Sequence, residues 1–336
     1  MDYRTLGHSG LKVSPICLGT MMFGDRTDSR TAGQIVGIAR DSGINFIDTA
    51  DQYAKGESER IVGRHIAEDR DRWVLATKAG NAMGSHPNEG GLGRKWLLRA
   101  IDLSLERLGT DYVDIWYLHL PDPDTPLEET IGSVGDVLAA GKARYWGVSN
   151  FRGWMIADAV RIADAMGIPR PVVCQPYYNA MNRMPEIEVL PACERYGLGA
   201  VPYSPLARGV LTGKYDPDRA PPAETRAGRS DTRMMETEFR RESLVMARDI
   251  AAHAKERGMS AADFALLWVL NNALVSSVLA GPRTVEQWEG YLGALRHDFI
   301  AEDEALVDSM VAPGHPSTPG FNDPRYPITG REPRTG

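Results

Sequence analysis

The chain has 336 residues, 43% of them hydrophobic and 25% charged, with a formal net charge of −7. This is the composition of an ordinary water-soluble globular protein. Its interspersed charges offer neither the basic stripe of a nucleic-acid binder nor a like-charged interaction tail. The three cysteines, Cys17, Cys174 and Cys193, are far apart and lack metal-ligand spacing, which fits a reducing compartment rather than a disulfide framework. The opening Met1-Asp2-Tyr3-Arg4 begins no apolar leader, and the apolar run Ala265–Leu270 is far too short to span a bilayer. A cytoplasmic protein without membrane segments is expected.

In chain order, residues 3–14 read as a short hairpin turning at Gly7-His8-Ser9-Gly10. Ile16-Cys17-Leu18 is a first buried strand, closed by Gly19-Thr20. Further strands are expected near 44–48, 73–78, 113–118, 143–148, 172–175, 199–203 and 275–280, which makes eight. Helical stretches fall near 31–42, 57–67, 94–108, 127–140, 153–166 and 186–196. Leu97, Ile101, Leu105 and Leu108 carry the helical spacing of the third, and Gly141 sits where a C-terminal cap of the fourth belongs.

Strand cores such as Trp73-Val74-Leu75-Ala76 are continuously apolar, the pattern of strands buried on both faces. No Gly-x-Gly-x-x-Gly follows the first strand, which argues against an open dinucleotide-binding sheet. The expected fold is α/β: a (β/α)₈ TIM barrel with an N-terminal β-hairpin and a C-terminal extension. Residues 1–312 would form one barrel domain and residues 313–336 a Pro/Gly-rich tail. Insertions at 80–93 and 216–235 are candidate lids, and Phe321 and Tyr326 of the tail suit docking over the rim.

Polar residues stand where the strands end: Asp48, Lys78, His119, Ser149-Asn150, Gln175 and Tyr203-Ser204, with Tyr53 five residues after Asp48. Parallel neighbouring strands would gather them on one rim. A free tyrosine has a pKa of about 10, and a neighbouring ammonium pulls it down. Lys78 can supply that ammonium, Asp48 can hold Lys78 charged, and His119 can orient a carbonyl. The set suits proton delivery to a carbonyl oxygen. Each residue also has a plainer reading. Lys78 and His119 are ordinary rim residues, Asn150 caps the helix after Phe151-Arg152, and Asp48 braces its own loop. Met21, Met22, Phe23, Tyr53 and Trp116 suggest an apolar or aromatic mouth, and equally suit barrel packing.

These segments resemble the aldo-keto reductase family from residue 3 to about residue 310. The similarity is carried by Asn45–Tyr53, Ala76-Thr77-Lys78, Asp114–His119, Gly141–Phe151 and Tyr203–Tyr215, the last two being highly specific. The resemblance implies a barrel that binds an extended nicotinamide cofactor, NADPH/NADP⁺, with NADH possible, and acts on a small carbonyl or alcohol substrate. By it, Asp48, Tyr53, Lys78 and His119 form the catalytic tetrad. Gly19, Thr20, Met21 and Asp48 would border the cofactor, Ser149, Asn150 and Gln175 would hold its carboxamide, and Tyr203 would stack on the nicotinamide. Ser204, Pro205, Leu206, Ala207, Arg208 and Gly209 would wrap the pyrophosphate. Gly281, Arg283 and Gln287 would continue the site, with Lys214, Arg226 and Arg283 as partners for a 2′-phosphate.

Arg226 also reads as a solvated loop charge. After Gln287 the chain departs from the family, with Gly290 and Tyr291 where Glu and Asn are usual, which leaves the adenine contacts and the preference for NADPH open. The family includes channel β-subunits that keep this fold and cofactor site while acting chiefly as partners. The absence of an extended N-terminal segment makes that role the lesser expectation. Seven histidines without paired spacing speak against a metal-dependent hydrolase, and no metal site is expected.

Overall fold

The structure, a computed structural model, describes residues 1–328 and 330. The rest of the Pro/Gly-rich tail lies outside the described residues. The chain divides into two compact units. The first comprises Met1–Tyr177, Pro185–Tyr203 and Leu270–Gly293. The second comprises Tyr178–Met184, Ser204–Val269 and the chain from Ala294 onward.

In the first unit, β1 (Arg4–Thr5) and β2 (Lys12–Val13) form the expected antiparallel hairpin. The parallel strands are β3 (Ile16–Gly19), β4 (Phe46–Asp48), β5 (Val74–Ala79), β6 (Val113–Leu118), β7 (Ala143–Ser149), β8 (Val173–Gln175), β9 (Gly199–Ala200) and β10 (Val278–Ala280). They are ordered β10-β3-β4-β5-β6-β7-β8-β9. The sheet closes on itself: Ser276 N–H donates to Ala200 O at 2.9 Å and Leu279 N–H to Pro202 O at 2.9 Å. This is the eight-stranded parallel barrel that the sequence pattern implied.

Helices α1 (Ser29–Asp41), α2 (Glu57–Ile66), α3 (Arg94–Leu108), α4 (Leu127–Ala139), α5 (Gly153–Met166) and α6 (Val189–Tyr196) alternate with the strands, within a few residues of expectation. From α2 onward each packs on the next, so the continuously apolar strands are covered on their outer face. Five further helices were not expected: α7 (Thr232–Thr237), α8 (Arg241–Glu256), α9 (Ala261–Asn271), α10 (Val285–Ala294) and α11 (Ala301–Met310).

Strand side chains alternate faces with a period of two. One buried cluster joins Leu6, Val13, Cys17, Phe46, Val74, Ala76, Ile115, Tyr117, Val173 and Val201. These residues mark the barrel interior, and stepping two residues along each strand from them reaches Gly19, Asp48, Lys78, His119, Gln175 and Tyr203. The register pairs Tyr117 with Gly147, and two residues on from Gly147 is Ser149. The interior is therefore apolar for most of its length and polar at the strand ends. Trp116 falls on the opposite parity and is 1% exposed. It and the fully buried Phe23 are packing residues, the second of the two roles that the sequence left open for them.

The hairpin seals the other end. Leu6 and Val13 belong to the interior cluster, and His8 N–H donates to Gly197 O at 2.7 Å. A Cβ on Gly7 would lie 2.5 Å from Gly197 O and 2.6 Å from Val172 O, so only glycine fits this approach.

Gly147 meets a similar limit inside the barrel. A Cβ there would stand 2.4 Å from Val173 Cγ1 and 3.0 Å from Tyr117 Cε1. Gly147→Ala is expected to destabilise the protein by about 1–3 kcal/mol, the usual penalty of overpacking a filled core. Urea denaturation measures this, and an unchanged midpoint would contradict it.

Candidate functional site

Lys78 and Asp48 are both fully buried at the ends of β5 and β4. The ammonium has three protons, and each finds an acceptor. Lys78 Nζ donates to Asp48 Oδ1, to Thr49 O at 2.8 Å and to Tyr53 Oη at 3.2 Å. Gln175 Nε2 donates to Asp48 Oδ2 at 3.0 Å. The His119 ring meets Tyr53 edge-on, with centroids 5.9 Å apart. The four residues expected to form a tetrad thus stand together. The plainer readings do not describe Lys78, which touches no solvent, or Asp48, whose carboxylate is held by Lys78 and Gln175.

Burial lifts the Asp48 carboxyl above its ordinary value, against the opposing pull of Lys78 and Gln175. Burial alone would lower Lys78, but Asp48 and Tyr53 outweigh it and hold the ammonium above its usual range. The expectation for Tyr53 needs correction. Lys78 does pull its phenol down, but burial is the larger effect and the net shift is upward. The desolvated pocket opposes a phenolate more than one ammonium, itself shared with Asp48, favours it.

Backbone strain gathers at this rim. Ala54, Lys55 and Asn150 hold φ of 47°, 55° and 63°, in the left-handed region that favours glycine. The first two follow Tyr53 directly and fix the turn behind it. Such conformations persist only where surrounding contacts over-determine them, as at ligand clamps.

Asn150 does not cap α5, whose N-cap is Arg152 with no side-chain bond. Its Nδ2 donates to His119 O at 2.9 Å, and its Oδ1 accepts from Tyr203 Oη at 2.8 Å. Ser149 Oγ donates to Gln175 O at 2.9 Å. The Tyr203 ring stacks on Tyr177 at 5.6 Å between centroids, a contact the sequence did not suggest. Gly19 and Thr20 are buried, and Thr20 Oγ1 donates to Asp48 O at 2.9 Å, whereas Met21 is 42% exposed. Gly281 and Gln287 are exposed and Arg283 half-buried; Gln287 Oε1 accepts from Arg283 N–H at 2.8 Å. The Tyr291 phenol is pushed up to about 12 by burial, with Arg283 opposing.

The remaining expected residues belong to the second unit. Leu206 (φ −89°, ψ 15°) precedes Ala207 and Arg208, at φ 45° and 52°, and Gly209 at φ 98°. The step from right-handed Leu206 to left-handed Ala207 is the local form of an anion-binding concavity, although the Ala207 and Gly209 N–H groups already donate to Ser204 O and Leu206 O. A Cβ on Gly209 would stand 3.3 Å from Lys214 Nζ, so that exposed ammonium lies over the turn. These residues fit a phosphate. Arg226 is half-buried and already paired: its Nε meets Asp231 Oδ2 at 3.0 Å. Arg208 pairs with Glu238 at 2.9 Å. In the tail, Phe321 lies under Arg240, whose guanidinium carbon is 3.4 Å from the ring centroid.

Sequence reasoning missed a second buried charged group. Glu59 on α2 accepts from Thr77 Oγ1 at 2.6 Å and from Arg107 Nε of α3 at 2.5 Å. Asp51, 1% exposed, is pushed up to about 7 by burial, then by Glu59, with Arg107 opposing.

Residues 15–312 match the sequence profile of the Aldo/keto reductase family. This chain belongs to that family. It is 38% identical to a probable voltage-gated potassium channel subunit beta of Oryza sativa subsp. japonica over 92% of this chain and 97% of that one. It is 39% identical to an uncharacterised oxidoreductase of Bacillus subtilis (strain 168), over 94% of this chain and 97% of the relative. It is also 36% identical to an L-glyceraldehyde 3-phosphate reductase of Escherichia coli O157:H7, over 94% and 93%. Among the described residues no helix is long and apolar enough to cross a membrane.

Removing Lys78 leaves a buried carboxylate without its counter-charge. Lys78→Met is expected to destabilise the protein by about 3–5 kcal/mol at neutral pH. The deficit should shrink as pH falls, because protonating Asp48 removes the uncompensated charge. Adding Asp48→Asn should recover most of it. Denaturant melts of the single and double variants at two pH values check all three statements.

Proposed function

We propose that this protein is an NADP(H)-dependent oxidoreductase that interconverts aldehydes or ketones with alcohols. The observation that carries this reading is the contact of the Tyr53 hydroxyl with the buried Lys78 ammonium, 3.2 Å away, at the polar end of the barrel. When bound, the nicotinamide supplies the hydride to the carbonyl carbon.

The chain's own residues handle the proton. At neutral pH Tyr53 is a phenol, as its upward shift requires, and so carries the proton that a carbonyl oxygen needs as it gains negative charge. Lys78 offsets the charge left on the tyrosine oxygen, and Asp48 holds Lys78 charged. His119, edge-on to Tyr53, orients the carbonyl oxygen toward the hydroxyl. In the reverse direction Tyr53 is the base. Proton transfer of this kind contributes about 10²–10⁴-fold.

Asn150, Ser149 and Gln175 are the proposed partners of the cofactor carboxamide, and Tyr203 the surface for its ring. The turn at 204–209 and Lys214 are the proposed phosphate partners. With Arg226 engaged by Asp231, Lys214 is the second unit's proposed partner for the 2′-phosphate. The small-aldehyde activity named for the Escherichia coli relative makes short aldehydes, phosphorylated ones included, the first substrates to assay.

A second reading has its own support. Relatives at 37–38% identity in rice and fission yeast are named as probable or putative channel β-subunits. In that role the same cofactor site would report redox state to a membrane partner. Steady-state carbonyl reduction, set against capture of the protein by a membrane fraction, separates the two readings.

Tyr53→Phe is expected to lower carbonyl reduction at least 10²-fold, leaving NADPH binding, followed by cofactor fluorescence, nearly unchanged. Turnover within a few-fold of wild type would remove Tyr53 from the role of acid.

A further inference from the structure

One cavity, of about 210 Å³, lies wholly within the first unit and takes no lining from the tetrad. Its walls are Asp51, Met83 and Glu89 and, from α3, Trp96, Arg99, Ala100, Leu103 and Arg107. The α3 residues recur at intervals of three and four, so they form one helix face. Two polar groups there are buried without partners. Asp51 is 1% exposed, and neither carboxyl oxygen reaches a hydrogen-bond donor; the Gln52 amide lies close but outside bonding geometry. Trp96 is 5% exposed, and its indole N–H reaches no acceptor.

An orphaned buried carboxyl is costly. Its proton is held to about pH 7, so the fold loses stability as pH rises toward and through that value. Asparagine would fill the same space without that penalty. The charges facing Asp51 relieve it only in part: Arg107 and Lys78 oppose the upward shift, but both are committed elsewhere. Arg107 is bonded to Glu59, and Lys78 is bonded to Asp48, Thr49 and Tyr53. Glu89 adds negative charge to the wall, and Arg99, exposed at the edge, adds positive charge.

We infer that this cavity is a binding site for a compact zwitterion of the amino-acid type. The ammonium of such a ligand supplies the donors that Asp51 lacks, backed by Glu89. Its carboxylate accepts from the Trp96 indole N–H and from Arg99, the geometry for which a guanidinium is best suited. Met83, Ala100 and Leu103 provide apolar wall for a short side chain. The cavity is smaller than the roughly 300–1,000 Å³ of pockets for drug-sized ligands, which limits the occupant to few heavy atoms.

The test follows the Trp96 indole N–H resonance of the full-length, ¹⁵N-labelled protein, assigned by its loss in Trp96→Phe. L-alanine is titrated, with ethylamine and propionate as its two halves. Saturable movement with L-alanine is expected, with each half binding at least tenfold more weakly. Asp51→Asn, which removes a charge and keeps the shape, should weaken L-alanine at least tenfold, as should Arg99→Gln at its exposed position. Affinity should fall as pH drops from about 8 to 6, because the ammonium needs the ionised Asp51. A linear, unsaturated response, equal binding of either half, or unchanged affinity in Asp51→Asn would overturn the proposal. NADPH binding, measured in parallel, reports separately on the cofactor site.

Discussion

The buried pair of Lys78 and Asp48 is the constraint around which the site is built. Two charges without solvent are tolerable only if each proton and lone pair is engaged. That requirement fixes Thr49 O, Gln175 Nε2 and Tyr53 Oη around them. The same requirement places the phenol against the ammonium. Geometry that stabilises the pair and geometry that would serve the proposed acid–base work are therefore one arrangement.

Much of this was readable from the chain because each strand runs apolar and then ends on a polar residue, at the spacing of alternating strands and helices. The structure adds the parity: Phe46 and Asp48, Val74 and Lys78, and Ile115 and His119 differ by even steps and so share the interior. The barrel, the hairpin, six helices and the clustering of Asp48, Tyr53, Lys78 and His119 follow from that spacing together with the family resemblance.

The parts that escaped have physical reasons. Helix α9 is apolar nearly all round, so it shows no stripe of period 3.6, and α10 contains Gly290 and Gly293, poor helix formers. Helix α2 begins with Glu57 and Glu59, which read as acidic residues favouring a helix N-terminus. Nothing local reveals that Arg107, 48 residues away, will bury Glu59. The direction of the Tyr53 shift was misjudged because a neighbouring charge can be guessed from spacing, whereas the depth of desolvation cannot. The Arg226 pairing went unforeseen because its partner, Asp231, lies five residues away in a loop without regular spacing.

The hairpin has a consequence for traffic. With Leu6, Gly7 and Val13 stoppering the far end, the barrel is a vessel closed at its base. Under the proposed function, two molecules meeting beside Lys78 would share the opposite mouth, so the deeper guest would enter first and leave last. A sequential order of arrival and departure would then come from plumbing rather than from any change of shape.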